Sequence, residues 1–410
     1  MNKKTDSTHD RLARQGAADE AAPDARTAAS RLLSSTSIWS SEAAPAAGSP
    51  CPVATPHSAP QSVRVTEPAA PAVTHGIAAR TTKPVAPDAR PSTHWPPRNL
   101  SLALQGGGTF AAFTWGVLER LLEEPSITFD TISGASAGAI NALLVACGLV
   151  EGGREGARAR LNRFWMRLMH EASFRSLMLV GGFSPAGSSV AFGPTLRSGH
   201  FDPFDLDPLR QALSRDIDFA ALREHSCPKL LIAATRIRDG RQQIFGNDAV
   251  TADVALASTC PPLVHCAIEI DGEAYWDGGF GGNPPLLGLV KETTASDVLI
   301  VQVTPSHDSY VPITLAAIDR RLDQIAANAV LNAEIVAVEW ARPSAAPKLR
   351  MFRIAAEDTI DGLAQRSSAD LGRGFIRLLH RSGREAAERW LRQDTGAPQA
   401  ERAAREPALA

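Results

Sequence analysis

Three short glycine-rich runs in this 410-residue chain carry residue types that can do chemistry. The first is Gly134-Ala135-Ser136-Ala137-Gly138, a G-x-S-x-G pattern centred on Ser136. A short apolar run from Phe129 to Ile132 precedes it, and an apolar helical stretch from Ala137 to Val150 follows. A sharp strand-to-helix turn of this kind lifts a serine hydroxyl above a sheet, and Gly134 and Gly138 let backbone approach it without a Cβ clash. The second run, Gly106-Gly107-Gly108, also lies between an apolar run and a helix-period pattern. Its three amides, with that of Ala137, are candidate donors to an oxyanion. The third, Asp277-Gly278-Gly279, follows the strand-like Glu273 to Trp276 and projects a carboxylate from a strand end. Nucleophile, base and oxyanion loop are together the parts of an acyl-transfer site.

Each run also has a plainer reading. G-x-S-x-G recurs by chance, three glycines suit a tight turn, and Asp-Gly marks solvent-facing turns. Phosphate binding fits less well: no Lys follows the glycines as a Walker loop requires, and Ala111 stands where a dinucleotide fingerprint has its third glycine. A conventional triad would add a histidine after the acid, which leaves His307 and His380; His265, beside Cys266, precedes Asp277 and reads as structural. No cysteine or histidine spacing matches a metal site, so neither metal nor cofactor is expected.

The chain resembles the patatin-like phospholipases over roughly Asn99 to Arg392. There a Gly-rich loop, a G-x-S-x-G nucleophile and a D-G-[GA] base occur in this order without a catalytic histidine. Ala257-Ser258-Thr259-Cys260-Pro261-Pro262-Leu263 is similar to the segment that precedes the family's acid strand, and Asn283-Pro284-Pro285 to the turn that follows it. The resemblance implies a three-layer α/β/α fold, a Ser136–Asp277 dyad and a lipid ester substrate met at a membrane or lipid-particle surface. One departure stands out: Phe110 and Ala111 replace the basic residue and last glycine of the family's G-G-G-x-[KR]-G loop. Backbone donors survive that change, whereas a preference for anionic head groups loses its cation. A transacylase, a storage-polyester hydrolase or a non-catalytic lipid-binding protein would share these motifs.

The elements that must hold these residues are those of an α/β domain with a mostly parallel sheet. Apolar runs at Ser101–Leu104, Phe129–Ile132, Lys229–Thr235, Asp297–Val303 and Leu349–Ile354 read as strands buried on both faces. Alternation around Asp271-Gly272 predicts a type I′ hairpin. Apolar spacing predicts core-packing helices over Ile313–Trp340, with Leu315, Ile318, Leu322, Ile325 and Ala329 on the packed stripe, and over Phe375–Leu391. The Ala-, Pro-, Ser- and Thr-rich residues 1–97 cannot bury enough apolar surface to fold and read as a disordered tail, with a targeting or docking arm as the functional alternative. That sets a domain at 98–392 and a second tail at 393–410. Ser173 to Pro208, rich in Phe, Gly and Pro, reads either as an apolar lid or as an irregular packed insertion.

Charge is balanced, 42 basic against 44 acidic side chains, which excludes the basic footprint of a nucleic-acid partner. Five cysteines without a C-x-x-C pair argue for a reducing compartment. No apolar run approaches the roughly 20 residues of a spanning helix, and no signal-peptide core follows the N-terminus. A cytoplasmic enzyme, peripheral at lipid surfaces and of open oligomeric state, is the expectation.

Overall fold

A computed structural model describes residues 95–171, 207–260, 267–341 and 349–393. The expectations for the tails, the Ser173–Pro208 insertion and His265 fall outside these residues, except that 95–97 belong to the fold. Trp95 donates from Nε1 to the Leu391 carbonyl (2.9 Å) and packs edge-on against Phe352 and Trp390.

Eight strands form one sheet: β1 (Asn99–Leu104), β2 (Thr128–Ala135), β3 (Lys229–Arg236), β4 (Gln242–Phe245), β5 (Ile268–Ile270), β6 (Glu273–Asp277), β7 (Asp297–Gln302) and β8 (Arg350–Ala355). The order is β5-β6-β3-β2-β1-β7-β8, with β4 also paired to β3. β8, β7, β1, β2 and β3 run parallel, β4 and β6 each pair antiparallel with β3, and β5 pairs antiparallel with β6. The inner parallel strands β1, β3 and β7 are almost wholly buried because helices cover both faces, whereas the edge strand β8 carries Arg350 and Arg353 and is half-buried. The β5–β6 hairpin turns at Asp271 and Gly272, both at positive φ, as a type I′ turn requires.

On one face lie α1 (Ala111–Leu122), α2 (Ala137–His170), α3 (Asp207–Asp216), α4 (Ala252–Ser258) and α7 (Arg373–Leu391). α2 changes direction at Gly152 and Gly153, whose backbone is non-helical. α7 buries Phe375, Leu379, Ala386 and Trp390, the stripe its spacing predicts. On the other face, α5 (Leu286–Glu292) and α6 (Leu315–Trp340) enclose a smaller core with Leu286, Leu289, Val298, Ile300, Leu331 and Val338.

α6 corrects one expectation. Its buried residues are Gln324, Asn328, Leu331, Glu334 and Val338, while Leu315, Ile318, Leu322 and Ile325 are exposed. The apolar stripe exists but faces outward. The inner face is polar because it meets backbone groups past the strand ends. Asn328 Nδ2 donates to the carbonyls of Thr304 and Pro305, Gln324 Nε2 to that of Ala364, and Glu334 accepts from the Leu287 amide. Buried backbone groups left without such partners would each cost on the order of 1–3 kcal/mol.

Candidate active site

Register brings the three runs to one sheet edge. Leu104, at the end of β1, pairs with Gly134 of β2; Ala135 pairs with Ala233 of β3; Ala234 pairs with Asp277 of β6. The loop after β1, the turn after β2 and the end of β6 thus open together. Such an edge is where open α/β sheets place their sites.

Ser136 occupies the turn between β2 and α2 at φ 53°, a left-handed conformation unusual for a non-glycine residue. The close packing there demands glycine: a Cβ on Gly138 would lie 2.3 Å from the Leu104 carbonyl oxygen, and one on Gly106 2.7 Å from Ser136 Cβ. Gly134 is buried at the end of β2. The Ser136 amide donates to Ser258 Oγ (3.1 Å) at the end of α4, and its carbonyl receives the amides of Ala139 and Ile140 in the first turn of α2. The helix N-terminus lies under the hydroxyl and favours negative charge there.

Ser136 Oγ donates to Asp277 Oδ2 at 2.8 Å. Both groups are buried, at 8 % and 2 % exposure. The other carboxylate oxygen accepts the Gly279 amide at 2.7 Å, fixing the carboxyl plane, and Gly278 is buried in the same turn. The Asp277 backbone is held at both ends: its amide donates to the Cys260 carbonyl and its carbonyl accepts from Thr235 Oγ1. Burial pushes its pKa up from an ordinary 3.8 to about 6, against the hydrogen bonds from Gly279 and Ser136, which lower it.

The Gly-rich loop departs from expectation at Gly106. Its amide already donates to Asn283 Oδ1 (2.6 Å), and its carbonyl accepts from Asn283 Nδ2 and Thr304 Oγ1. Gly106 is therefore a structural anchor rather than an oxyanion donor. Among the described residues the amides of Gly107, Gly108 and Ala137 have no acceptor, which leaves these three as the available donors. Phe110 is buried and meets Phe375 edge-on at 6.0 Å. Its position belongs to the core, and Asn141 Nδ2 donates to the carbonyl of Ala111.

Neither histidine candidate joins the site. His307 is exposed, bonded to Ser306, and lines a separate cavity of about 290 Å3 with Asp308, Glu357 and Gly362. His380 bonds Glu119 and stacks on Trp115 between α1 and α7. No group of three or more His, Cys, Asp or Glu among the described residues is arranged to hold a metal.

Sequence reasoning missed the roles of Asn283, Ser258, Thr235 and Gln105. Ser258 and Asn283 stood in noted motifs, but their bonds cross 122 and 177 residues of chain. Gln105 accepts the amides of Val303 and Thr304 and donates to Asn328, tying the loop to β7 and α6.

No helix among the described residues is long and apolar enough to cross a membrane. Residues 102–290 match the family model described as patatin-like phospholipase. Solved structures with similarity include VipD from Legionella pneumophila, at 15 % identity and a TM-score of 0.34, covering 72 % of this chain and 66 % of that one. Another is ExoU from the type III secretion system of Pseudomonas aeruginosa, solved with SpcU, at 18 % identity and a TM-score of 0.31, covering 73 % and 53 %. This chain thus matches only about half to two thirds of their length. No curated protein sequence matches. The chain carries a patatin-like phospholipase domain.

Proposed function

We propose that this chain, on the strength of its patatin-like phospholipase domain, is a serine lipid acyl hydrolase with Ser136 as nucleophile and Asp277 as general base. The observation that carries the reading is the 2.8 Å hydrogen bond between two buried side chains 141 residues apart. Asp277 accepts the Ser136 proton as Oγ attacks the ester carbonyl carbon. The oxyanion that forms faces the Gly107, Gly108 and Ala137 amides, each good donor contributing about 3 kcal/mol. Collapse breaks the ester C–O bond, and the proton on Asp277 passes to the departing alkoxide. Water then gives a proton to Asp277 as it attacks the acyl-serine; the fatty acid departs and Ser136 recovers its proton. A carboxylate is a weak base toward a hydroxyl, and the raised pKa of Asp277 narrows that gap.

The catalytic domain in this reading spans residues 98–392 and works in the cytoplasm. The free thiols at Cys147 and Cys227 suit a reducing compartment. The substrate is a lipid ester. A transacylase or storage-polyester hydrolase would share the dyad; product analysis with an added alcohol acceptor separates a transacylase from a hydrolase, and release of acid from polyester granules separates the storage-polyester hydrolase from a lipid hydrolase. The direct test is a fluorophosphonate probe on the intact protein together with p-nitrophenyl butyrate hydrolysis. Labelling at Ser136, and loss of hydrolysis in Ser136→Ala, are expected. Undiminished hydrolysis in Ser136→Ala overturns the assignment.

A further inference from the structure

Among the described residues, exposed large apolar side chains are not scattered. Of eleven among the described residues, nine fall between Tyr310 and Trp340. Concentrations of that kind mark interaction surfaces, whereas single exposed residues need no explanation.

Their position is set by the inner face of α6. Asn328 is level with the end of β7, since it bonds the Thr304 and Pro305 carbonyls. Later residues descend over the sheet: Glu334 meets Leu287, and Val338 joins the core beside Val298. Earlier residues rise beyond the sheet edge, and from Asn328 to Leu315 the helix climbs about 20 Å. That is the edge that holds Ser136, because β7 and β1 are parallel and in register up to Val301 and Leu104. The loop leading into α6 is pinned at the same edge, with Ser306 bonded to Glu357 and Asp308 to Gln365. The projecting part carries Tyr310, Val311 (86 % exposed), Ile313 (90 %), Leu315 (79 %), Ile318 and Leu322. The turn holding Phe280, itself exposed and three residues past Asp277, packs against α6.

We propose that residues 310–322, the loop and first two turns of α6, form the surface by which this protein seats on an uncharged or zwitterionic lipid surface, with Ser136 turned toward it. This rests on the lipid-hydrolase reading for its partner. Charge selects the kind of lipid. The two arginines on the projecting turns keep their charge but aim it inward, Arg320 at the Ala364 carbonyl and Arg321 at that of Ser306, and Asp308 and Asp319 beside the patch offset it; burial and the neighbouring Asp319 push Asp323 up to about 7. With two inward-aimed cations balanced by two acids, the patch has apolar contact to offer and no net positive charge to favour anionic head groups.

The experiment is flotation of full-length Ser136→Ala protein, which leaves vesicles intact, with phosphatidylcholine vesicles alone and with added phosphatidylglycerol. Binding to phosphatidylcholine is expected, changing less than about twofold with phosphatidylglycerol or salt. Val311→Asp, at a loop position with little packing to lose, is expected to cut binding at least about tenfold, at unchanged p-nitrophenyl butyrate hydrolysis when Ser136 is intact. In a protein with Ile313→Trp, brominated phosphatidylcholine should quench the added fluorescence. Full flotation of Val311→Asp, binding to anionic vesicles only, or a dimer that Val311→Asp dissociates would each overturn the proposal. The last outcome would assign the patch to a second copy. Docking without hydrolysis of any ester by the wild-type protein would sink the activity reading and leave the surface standing.

Discussion

The Gly106 amide donates to Asn283 Oδ1 at 2.6 Å, joining the Gly-rich loop to the turn that follows β6. The contact is buried, and a second bond from Asn283 Nδ2 closes it on the Gly106 carbonyl. Asn283 thereby sets the position of the next two amides relative to Ser136. Asn283→Ala is expected to lower kcat roughly 10- to 100-fold, since misaimed oxyanion donors are felt in the transition state, while KM changes less than about twofold. Steady-state kinetics on a soluble ester checks this. A wild-type kcat, or a change confined to KM, would count against the positioning role.

Asp277 should leave its mark on both rate and stability. As a base it must be ionised, so kcat/KM should rise through an apparent pKa near 6 and then level off. Stability moves the other way. A carboxyl raised from 3.8 to about 6 by burial stabilises the fold only at low pH, and that contribution is lost as pH rises through 6. The full cost above pH 6 is roughly 3 kcal/mol. Asp277→Asn keeps an acceptor for Gly279 and a partner for Ser136. It should therefore abolish activity yet raise Tm by on the order of 5 °C at pH 7.5. That advantage should vanish below about pH 4. A Tm gain that persists there would mean that the ionised carboxylate was not its source.

His307 offers the clearest contrast with a triad. It is exposed and bonded to Ser306, so His307→Ala should leave kcat/KM within about twofold of wild type. A loss of a thousandfold or more would restore histidine to the mechanism and displace the dyad.

Much of the site was legible because its constraints are local. G-x-S-x-G after an apolar run, a glycine triplet after another and Asp-Gly-Gly after a third are patterns that strand-to-helix and strand-to-turn junctions impose by sterics alone. Their order named a nucleophile and a base, and the structure brings Ser136 and Asp277 within hydrogen-bond distance. The strands were legible for the same reason, since a parallel strand covered on both faces must be nearly all apolar.

α6 shows where sequence reading ran out. Its apolar stripe is real, and periodicity located it well, but periodicity does not say which side of a stripe faces the sheet. That was decided by the backbone carbonyls of Thr304, Pro305 and Ala364, whose unmet hydrogen bonds drew Asn328 and Gln324 inward. Gly106 was misassigned for a related cause: its amide is spent on Asn283, 177 residues away. The sequence by itself determined which residues stand at the three turns, because covalent neighbours specify a turn. Only the tertiary structure decided which amides stay free and which helix face stays bare, because those depend on what distant backbone groups require.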